Sequence, residues 1–207
     1  MKPFLNSIPA VLFLAGMITL SGCQEAGQPA ETGADTLSTD TPSGQQTATA
    51  QLEPTEGNTA RGTIQFVSTN GQIEATGTVT GLEPGEHGIH IHQNGDCSNN
   101  AEAAGPHWSG IGTQHGAPDA PEQERHAGDF GNLNADESGT ANFEQTVDLT
   151  MPLDSLVGKA VVVHAGQDDL TSQPSGNSGA RIACGVIEMG SGSGMTSDTA
   201  GTDTTGM

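Results

Sequence analysis

The stretch GEHGIHIHQNGDCS, residues 85–98, contains two histidines, His90 and His92, that are separated by a single isoleucine. On a β-strand, residues two positions apart point to the same face of the sheet. Both imidazoles would then project to one side, while Ile91 points to the other. Two neighbouring nitrogen donors suit copper or zinc, although an isolated pair fits two surface histidines equally well. The rest of the chain has to decide whether this strand carries a metal site.

Six of the seven histidines fall within residues 87–126, and this clustering is the strongest sign of a metal site. Residues 93–134 are rich in Gly, Pro, His and Asp and show little strand character, which predicts a long functional loop. This segment contains His107, His115, His126 and Asp129. Loop histidines together with one carboxylate are the donors that a four-coordinate zinc site uses. Each histidine alone could be structural, but together they indicate bound metal.

The remainder of the folded region consists of short predicted strands separated by glycine-rich turns. Asn70-Gly71 marks a hairpin turn, and a helical turn is expected near Leu153–Leu156. The run AVVVH ends on His164, whose half-buried imidazole needs a partner. Many short strands with glycine turns predict an all-β sandwich or barrel. The predicted strands are Thr47–Leu52, Gly62–Thr69, Gln72–Thr80, Gly88–His92, Ala141–Leu149 and Ala160–His164.

The composition predicts one modest domain between flexible flanks. Only 32% of the 207 residues are hydrophobic and 3% are aromatic, which is too little apolar material to bury the whole chain. Residues 23–46 are expected to be a flexible linker and residues 190–207 a disordered tail, on either side of a domain at 47–189. The 25 acidic residues against 5 Lys and Arg argue against nucleic acid as a partner. A high-salt habitat and a merely solvated acidic surface explain this charge equally well.

The N-terminus has the features of an export signal. Residues 1–22 combine Lys2 with an apolar stretch that is too short and too broken to span a membrane. The sequence Leu20-Ser21-Gly22-Cys23 resembles the lipobox of bacterial lipoproteins, in which the cysteine is acylated. This resemblance implies a cell-envelope protein that touches the membrane only through a lipid on Cys23. It would lie on the periplasmic or outer-membrane side, or on the extracellular face of a cell with one membrane. An ordinary secretory signal with an incidental cysteine is the alternative.

Six blocks of the chain resemble, in order, the signatures of copper/zinc superoxide dismutase. They are GEHGIHIHQNGDCS (85–98), AGPHW (104–108), HGAP (115–118), ERHAGDFGN (124–132), VVVHAGQDDL (161–170) and GNSGARIACGVI (176–187). The resemblance implies an eight-stranded Greek-key β-barrel or sandwich with long metal-binding and active-site loops. It also implies dismutation of superoxide to oxygen and hydrogen peroxide by one-electron cycling of copper, beside a zinc. The resemblance allows a homodimer, although no surface patch in the sequence identifies an interface.

The resemblance assigns a role to each matching residue. It implies copper ligands at His90, His92, His107 and His164, and zinc ligands at His107, His115, His126 and Asp129. His107 would bridge both metals, and Arg181 would hold the superoxide anion beside the copper, so these two are the expected catalytic residues. Asp168 matches a carboxylate that hydrogen-bonds one ligand of each metal. By contrast, His87 is implied to be a hydrogen-bonding residue and not a ligand, and Trp108 a packing residue.

The three cysteines fit the same resemblance. It implies a disulfide between Cys97 and Cys184, which leaves Cys23 for the lipid. Such a bond would pin the long loop to the strand just beyond Arg181, and it requires an oxidising compartment.

One departure limits what the resemblance implies, and one alternative function stays open. The segment between Asp169 and Arg181 contains no lysine and no glutamate, so a charged loop that steers the substrate is not expected. The alternative function is an exported copper- and zinc-binding protein without turnover, which would have lost Arg181, His107 or Asp168. All three residues are present.

Overall fold

The computed structural model describes residues 46–190, and eight β-strands form the regular part of this range. The strands are β1 (Thr47–Pro54), β2 (Arg61–Thr69), β3 (Gln72–Thr80), β4 (Gly85–His92), β5 (Asp129–Ala135), β6 (Ala141–Asp148), β7 (Ala160–His164) and β8 (Arg181–Met189). Three short 3₁₀ helices lie in the connections, at Glu102–Ala104, Glu122–Glu124 and Leu153–Leu156. The all-β prediction is confirmed, and so is the helical turn near Leu153–Leu156.

The strands form one sheet in the order β5-β4-β7-β8-β1-β2-β3-β6, and all hydrogen-bonded neighbours are antiparallel. β5 and β6, the two ends of this order, contact each other, so the sheet curls into a nearly closed barrel. The connections from β3 to β4 and from β6 to β7 each pass over two strands. Such crossovers between antiparallel strands give the Greek-key arrangement that the family resemblance implies.

The hairpin between β2 and β3 follows directly from local sequence. Asn70 and Gly71 have φ angles of 53° and 84°, in the left-handed region that asparagine and glycine tolerate best. Thr69 pairs with Gln72 across the turn, so the two-residue hairpin has the predicted position.

β1, β2, β3 and β6 form one side of the barrel, which we call the exposed half. Along these strands, buried and solvent-facing residues alternate, as in a sheet with one face on the core and the other in water. In β3, for example, Ile73, Ala75 and Val79 are buried, while Glu74 and Thr78 are exposed. The exposed half therefore contributes to the core through one face only.

β4, β5, β7 and β8 form the other side, which we call the covered half. All five residues of β7 are buried, because loops 93–128 and 165–180 lie over the outer face of this half. Val161 and Val163 belong to the barrel core. The outward-facing residues belong to a second apolar cluster, formed by Ala101, Ala104, Ala160, Val162 and Cys184. The covered half is thus buried on both faces.

A disulfide between Cys97 and Cys184 fastens the longer loop to β8. The two Cα atoms are 5.7 Å apart, and the bond spans a sequence separation of 87 residues. The structure thus contains the disulfide that the family resemblance implies. Such a bond is compatible with a periplasmic or extracellular location.

The prediction that residues 93–134 have little strand character is wrong at their C-terminal end, where β5 begins at Asp129. The sequence DFGNLNA contains glycine, asparagine and aspartate, which are poor strand formers. Pairing with β4 and burial of Phe130 and Leu133 in the core outweigh this local preference. The ring of Phe130 meets that of Phe66 edge to face, with centroids 5.9 Å apart.

The strands run from Thr47 to Met189. The predicted signal at 1–22, the predicted lipidation site Cys23, and all but the innermost residue of the predicted linker and tail lie outside the described residues. Within 46–190, no helix is long and apolar enough to cross a membrane.

Candidate metal centre

β4 and β7 place three histidines on the outer face of the covered half. These strands pair directly, with His90 opposite Val162 and His92 opposite Ala160. Ile91 points the other way, into the barrel core, as the strand geometry predicts. His164 is the last residue of β7 and lies at a register shift in the pairing with β8, and a second shift lies between Gly88 and His90. Irregularities of this kind re-aim side chains at the ends of strands.

The first donor cluster consists of four buried histidines whose ligand atoms all lie within 4.8 Å of one another: His90, His92, His107 and His164. His92 donates its Nδ1–H to Gly105 O at 2.8 Å, and His164 donates its Nδ1–H to Gly179 O at 3.1 Å. Each of these bonds leaves an Nε2 lone pair free, and the two Nε2 atoms are 3.4 Å apart. Two facing lone pairs repel each other unless a cation lies between them.

The second donor cluster surrounds one oxygen of Asp129. Its Oδ1 atom is 2.9 Å from His107 Nδ1, 3.0 Å from His115 Nδ1 and 3.5 Å from His126 Nδ1. The other oxygen, Oδ2, accepts the backbone N–H groups of Gly116 and His126 at 3.0 and 2.9 Å, which fixes the carboxylate. Neighbouring ligand atoms around a tetrahedral zinc are about 3.3 Å apart for bonds of about 2 Å. The three distances bracket this value.

The two clusters adjoin each other, and His107 belongs to both. The ligand atoms of His90, His107, His115 and Asp129 all lie within 4.8 Å of one another. His126 lies outside this group, with its Nδ1 3.5 Å from Asp129 Oδ1. The rings of His90 and His107 are stacked, with centroids 3.9 Å apart. The structure therefore brings together all seven residues that the resemblance implies as metal ligands.

Asp168 contacts one histidine of each cluster through its two carboxylate oxygens. Its Oδ2 lies 2.7 Å from His90 Nε2, and its Oδ1 lies 2.8 Å from His115 Nε2. In the neutral form of each ring, a carboxylate in this position fixes the tautomer, so that Nδ1 carries the lone pair. Gly176 makes room for it: at φ +66°, a Cβ there would come 1.8 Å from Asp168 Oδ1. Asp168 thus contacts one residue of each cluster, and the role that the resemblance implies for it stays a prediction.

Burial sets the charge state of the first cluster. Burial is the largest cause of the low pKa values of His92, about 2, and of His164, about 3. Repulsion from neighbouring histidines also contributes to both values. Burial also lowers the pKa of His107 to about 4, against the opposing hydrogen bond with Asp129. These imidazoles are neutral at pH 7, which is the form that binds metal.

For Asp129 and Asp168, contacts with histidines outweigh the effect of burial on the pKa. Burial would raise the pKa of Asp168, but its contacts with His115 and His90 lower that pKa to about 2. Burial would likewise raise the pKa of Asp129, but hydrogen bonds with three histidines outweigh it and hold the pKa well below the ordinary range. For His115, burial is outweighed by the contacts with both aspartates, which raise its pKa to about 9. Both aspartates are therefore charged at pH 7.

The unpaired atoms of the site test whether metals fit it. Five buried side-chain N or O atoms within the described residues have no hydrogen-bond partner, and four of them belong to the two clusters. They are His90 Nδ1, His107 Nε2, His115 Nδ1 and His126 Nδ1. Buried polar atoms are nearly always paired, so four orphaned nitrogens in one place require an explanation. Nitrogen donors with one carboxylate match copper and zinc chemistry, so the residues fit these two metals.

A cleft of about 500 Å³ opens onto the first cluster. His92, His107, His164 and Arg181 contribute to its wall. The guanidinium of Arg181 donates from Nη1 to Ala101 O and from Nη2 to Gly105 O, the latter at 2.7 Å. Both acceptors lie on the disulfide-bonded loop, so that loop sets the direction in which the Arg181 charge points.

His87 and Trp108 lie outside both clusters. The ring nitrogens of His87 lie 2.9 Å from His164 O and 2.8 Å from Glu83 O, so this buried ring ties β4 to neighbouring backbone. Trp108 packs in the barrel core, with the Lys159 ammonium 4.8 Å from its ring centroid. Both positions agree with the structural roles predicted for them.

Together, the barrel and the two donor clusters that share His107 define a candidate two-metal site on the outside of a β-barrel. The family model for copper/zinc superoxide dismutase matches residues 60–187, which is more than half of the chain. The chain belongs to the copper/zinc superoxide dismutase family.

Sequence reasoning missed two residues that hold the loop of the second cluster. Arg125 is fully buried and donates to the carbonyl oxygens of Ala120, His126 and Asp148, which anchors His126 to the end of β6. An arginine in a chain with so few cations was a usable signal. Gln173 contacts the backbone of His115, 58 residues away, and no local pattern signals such a contact.

Proposed function

We propose that this chain dismutates superoxide, converting two superoxide anions and two protons into oxygen and hydrogen peroxide. Copper would be held by His90, His92, His107 and His164, and zinc by His107, His115, His126 and Asp129. When bound, copper supplies one-electron redox chemistry, whereas zinc supplies charge and a fixed template. The observation that carries the proposal is His107, which is a member of both clusters: its Nδ1 faces Asp129, and its Nε2 is buried without a hydrogen-bond partner.

The hydrogen bonds around the site prepare it for two different metals. The carbonyl acceptors of His92 and His164 and the carboxylate of Asp168 hold the donor lone pairs toward the centre before any ion arrives. Pre-oriented donors lower the entropy cost of binding and resist a change of geometry. His90 serves the copper side, beside His92 and His164, and His126 completes the zinc side.

His107 is proposed to move a proton. Its Nδ1 is engaged on the Asp129 side, so Nε2 is the ring nitrogen that remains to gain and lose a proton, in a residue that lines the cleft. A proton delivered from Nε2 would reach a reduced oxygen species directly, which is what formation of hydrogen peroxide requires. Asp129 keeps the ring in one orientation throughout.

Arg181 is proposed to hold the substrate anion. The described residues contain few cations, and Arg181 is the one that lines the cleft. Its two carbonyl contacts fix the guanidinium at the wall, where it can attract superoxide within a strongly acidic protein. The attraction is local, since the net charge of −20 opposes the approach of anions.

The test is superoxide loss by the full chain, exported into an oxidising compartment and loaded with copper and zinc. His107→Ala is expected to abolish the metal-dependent rate, and Arg181→Ala to lower it about tenfold or more. Arg61→Ala is the matched control, because Arg61 is an exposed arginine on β2 in the exposed half. Tight binding of both metals without turnover would reject the enzyme and support the exported metal-binding protein instead.

We also propose that the chain is exported through residues 1–22 and anchored by a lipid on Cys23, with 23–46 as linker, 47–189 as catalytic domain and 190–207 as tail. The lipobox-like sequence and the Cys97–Cys184 disulfide support this proposal. Cys23→Ser is expected to move the protein from the membrane to the soluble fraction, whereas no change in fractionation would reject the anchor. The homodimer stays a prediction, which the mass of the purified protein in solution tests.

A further inference from the structure

The backbone of His115 is held by one side chain from another loop. Gln173 Oε1 accepts the His115 N–H at 2.8 Å, and Gln173 Nε2 donates to His115 O, also at 2.8 Å. One amide group thus pairs with both polar groups of the same residue, in the way a neighbouring β-strand would. His115 itself is 2% exposed, so its backbone groups lie at a site with little access for water.

The zinc-side loop depends on such side-chain partners because it has no strand beside it at this point. Buried N–H and C=O groups must be paired, and an irregular loop cannot pair them by itself. The next N–H, that of Gly116, is paired by Asp129 Oδ2 at 3.0 Å. Gln173 and Asp129 therefore supply hydrogen-bond partners for two consecutive residues, one of which is a member of the donor cluster.

The same loop that carries Gln173 also holds the ring of His115. Asp168 contacts His115 Nε2 at 2.8 Å, and Gly176 leaves the space in which this contact occurs. Asp169 keeps the loop compact, because its Oδ1 accepts the N–H groups of Thr171 and Ser172 at 3.0 and 2.7 Å. His115 is thus held at its ring by one end of a short, internally bonded segment and at its backbone by the other end.

We infer that Gln173 is a positioning residue for the zinc site, which fixes the backbone of His115 so that Nδ1 points at the donor cluster around Asp129. The inference rests on the proposed function, in which His115 binds zinc. Gln173 touches neither substrate nor the donor atoms and acts only through His115. Its side chain is exposed, and an exposed glutamine gains little from one hydrogen bond, but two reciprocal bonds to one residue restrict it to a single orientation.

The experiment measures metal affinity in the full chain, with Co²⁺ as a spectroscopic probe of the zinc site and Cu²⁺ as the probe of the other cluster. Gln173→Met keeps the approximate volume of the side chain and removes both hydrogen bonds to His115, together with the 3.2 Å bond from Nε2 to Thr171 O. Gln173→Ala removes volume as well. Both are expected to weaken Co²⁺ binding about tenfold to a hundredfold and to change its visible spectrum. Cu²⁺ affinity should stay within about twofold. Gln65→Met, at an exposed glutamine of β2 in the exposed half, is the matched control.

Three outcomes would overturn the inference. The first is Co²⁺ affinity within about twofold of wild type in Gln173→Met, which would mean that water replaces the amide. The second is normal Co²⁺ binding in Gln173→Met with weak binding in Gln173→Ala, which would make the role one of packing. The third is an equal loss of Co²⁺ and Cu²⁺ binding, which would show a general effect on the fold. Failure of the wild-type chain to bind Co²⁺ would instead reject the proposed metal site itself.

Discussion

The two halves of the barrel use the same strand geometry in different ways. In β3 of the exposed half, Ile73 and Val79 are buried and the residues between them include exposed threonine and glutamate. In β7 of the covered half, every residue from Ala160 to His164 is buried. The exposed half needs only one apolar face. The covered half needs a second layer, and that layer consists of loops.

The difference shows where the cost of function falls. The outer face of the covered half buries His90, His92, His164 and Asp168, all of which are polar and must be paired or bound to metal. Loops alone supply little apolar area to offset this cost. We therefore expect the covered half to depend on its covalent and ionic links, and the exposed half on ordinary packing. Four measurements, in order of decreasing expected effect, test this contrast.

The largest effect is expected from the disulfide. Replacing both Cys97 and Cys184 with serine releases a closed loop of 87 residues, which the chain-entropy model values at about 4–5 kcal/mol of the free energy of unfolding. Urea unfolding of the metal-loaded protein measures this loss. In hydrogen-exchange measurements, the exchange rates of backbone amides should increase in β7 and β8 before they increase in β2 and β3. A uniform increase over both halves would contradict the contrast.

A second effect is expected from acid in the metal-free protein. Burial lowers the pKa of His92, His107 and His164 to about 2, 4 and 3, so the unfolded chain takes up protons first as the pH falls below about 6.5. Stability is therefore present above that pH and is lost below it, by at most about 5 kcal/mol between pH 6.5 and 5. Urea midpoints at these two pH values measure the loss.

His115 changes the stability of the metal-free protein in the opposite direction with pH. Its pKa is raised to about 9, so its contribution is present below pH 6.5 and is lost only as the pH rises through 9. It does not cancel the acid effect below pH 6.5. A urea midpoint of the metal-free protein that is flat from pH 6.5 to 5 would show that these histidines are not buried without metal.

A third measurement exchanges the same two residue types on the outer faces of the two halves. Val162→Thr in β7 buries a hydroxyl in the cluster beside Cys184 and should cost about 1–3 kcal/mol. Thr146→Val on exposed β6 is the reverse change and should stay within about 0.5 kcal/mol. Thermal unfolding of both variants compares them directly. Equal costs would mean that the loops do not exclude water from β7.

The smallest effect concerns charge. Glu102 lies in the wall of the cleft with Arg181 and opposes the approach of an anion. Two charges about 8 Å apart in water interact by about 0.5 kcal/mol, so Glu102→Gln should raise the rate of superoxide loss about twofold at low salt. The gain should vanish at high salt because of screening. Glu144→Gln, on exposed β6, makes the same change in net charge and should have no effect. An equal gain in both variants would assign the effect to net charge.

The exposed half was the easier part to predict from the sequence. Alternation along β3 and the Asn70-Gly71 turn are local properties, so the predicted bounds Gln72–Thr80 match the observed strand. β5 was missed because its sequence favours turns, and only pairing with β4 makes it a strand. Local sequence preference predicts strands that bury only one face. Strands that are buried on both faces depend on tertiary contacts, which local sequence does not reveal.

The site divides in the same way. His90 and His92 were visible as donors because strand periodicity puts both on one face. The loop histidines and Asp129 were visible only as a set of possible zinc donors, and the resemblance assigned each one to a metal. No rule of spacing predicts the contact of His115 with Asp168 across 53 residues. Gln173 and Arg125 were missed because they act through backbone carbonyl and amide groups, which every residue carries. Contacts of that kind leave no signature in residue type.

The pairing of β1 with β8 has a consequence for how the chain reaches this state. Ala48 is opposite Met189, and the N–H of Gly190 donates to Thr47 O at 2.8 Å, so the first and last strands are neighbours. Synthesis proceeds from the N-terminus, so one edge of β1 stays unpaired until β8 has been synthesised. Arg181 and Cys184 lie on that last strand. A chain cut short before it would have an open seam, no Cys97–Cys184 disulfide and no arginine in the wall of the cleft. Under the proposed function, incomplete copies would therefore be inactive.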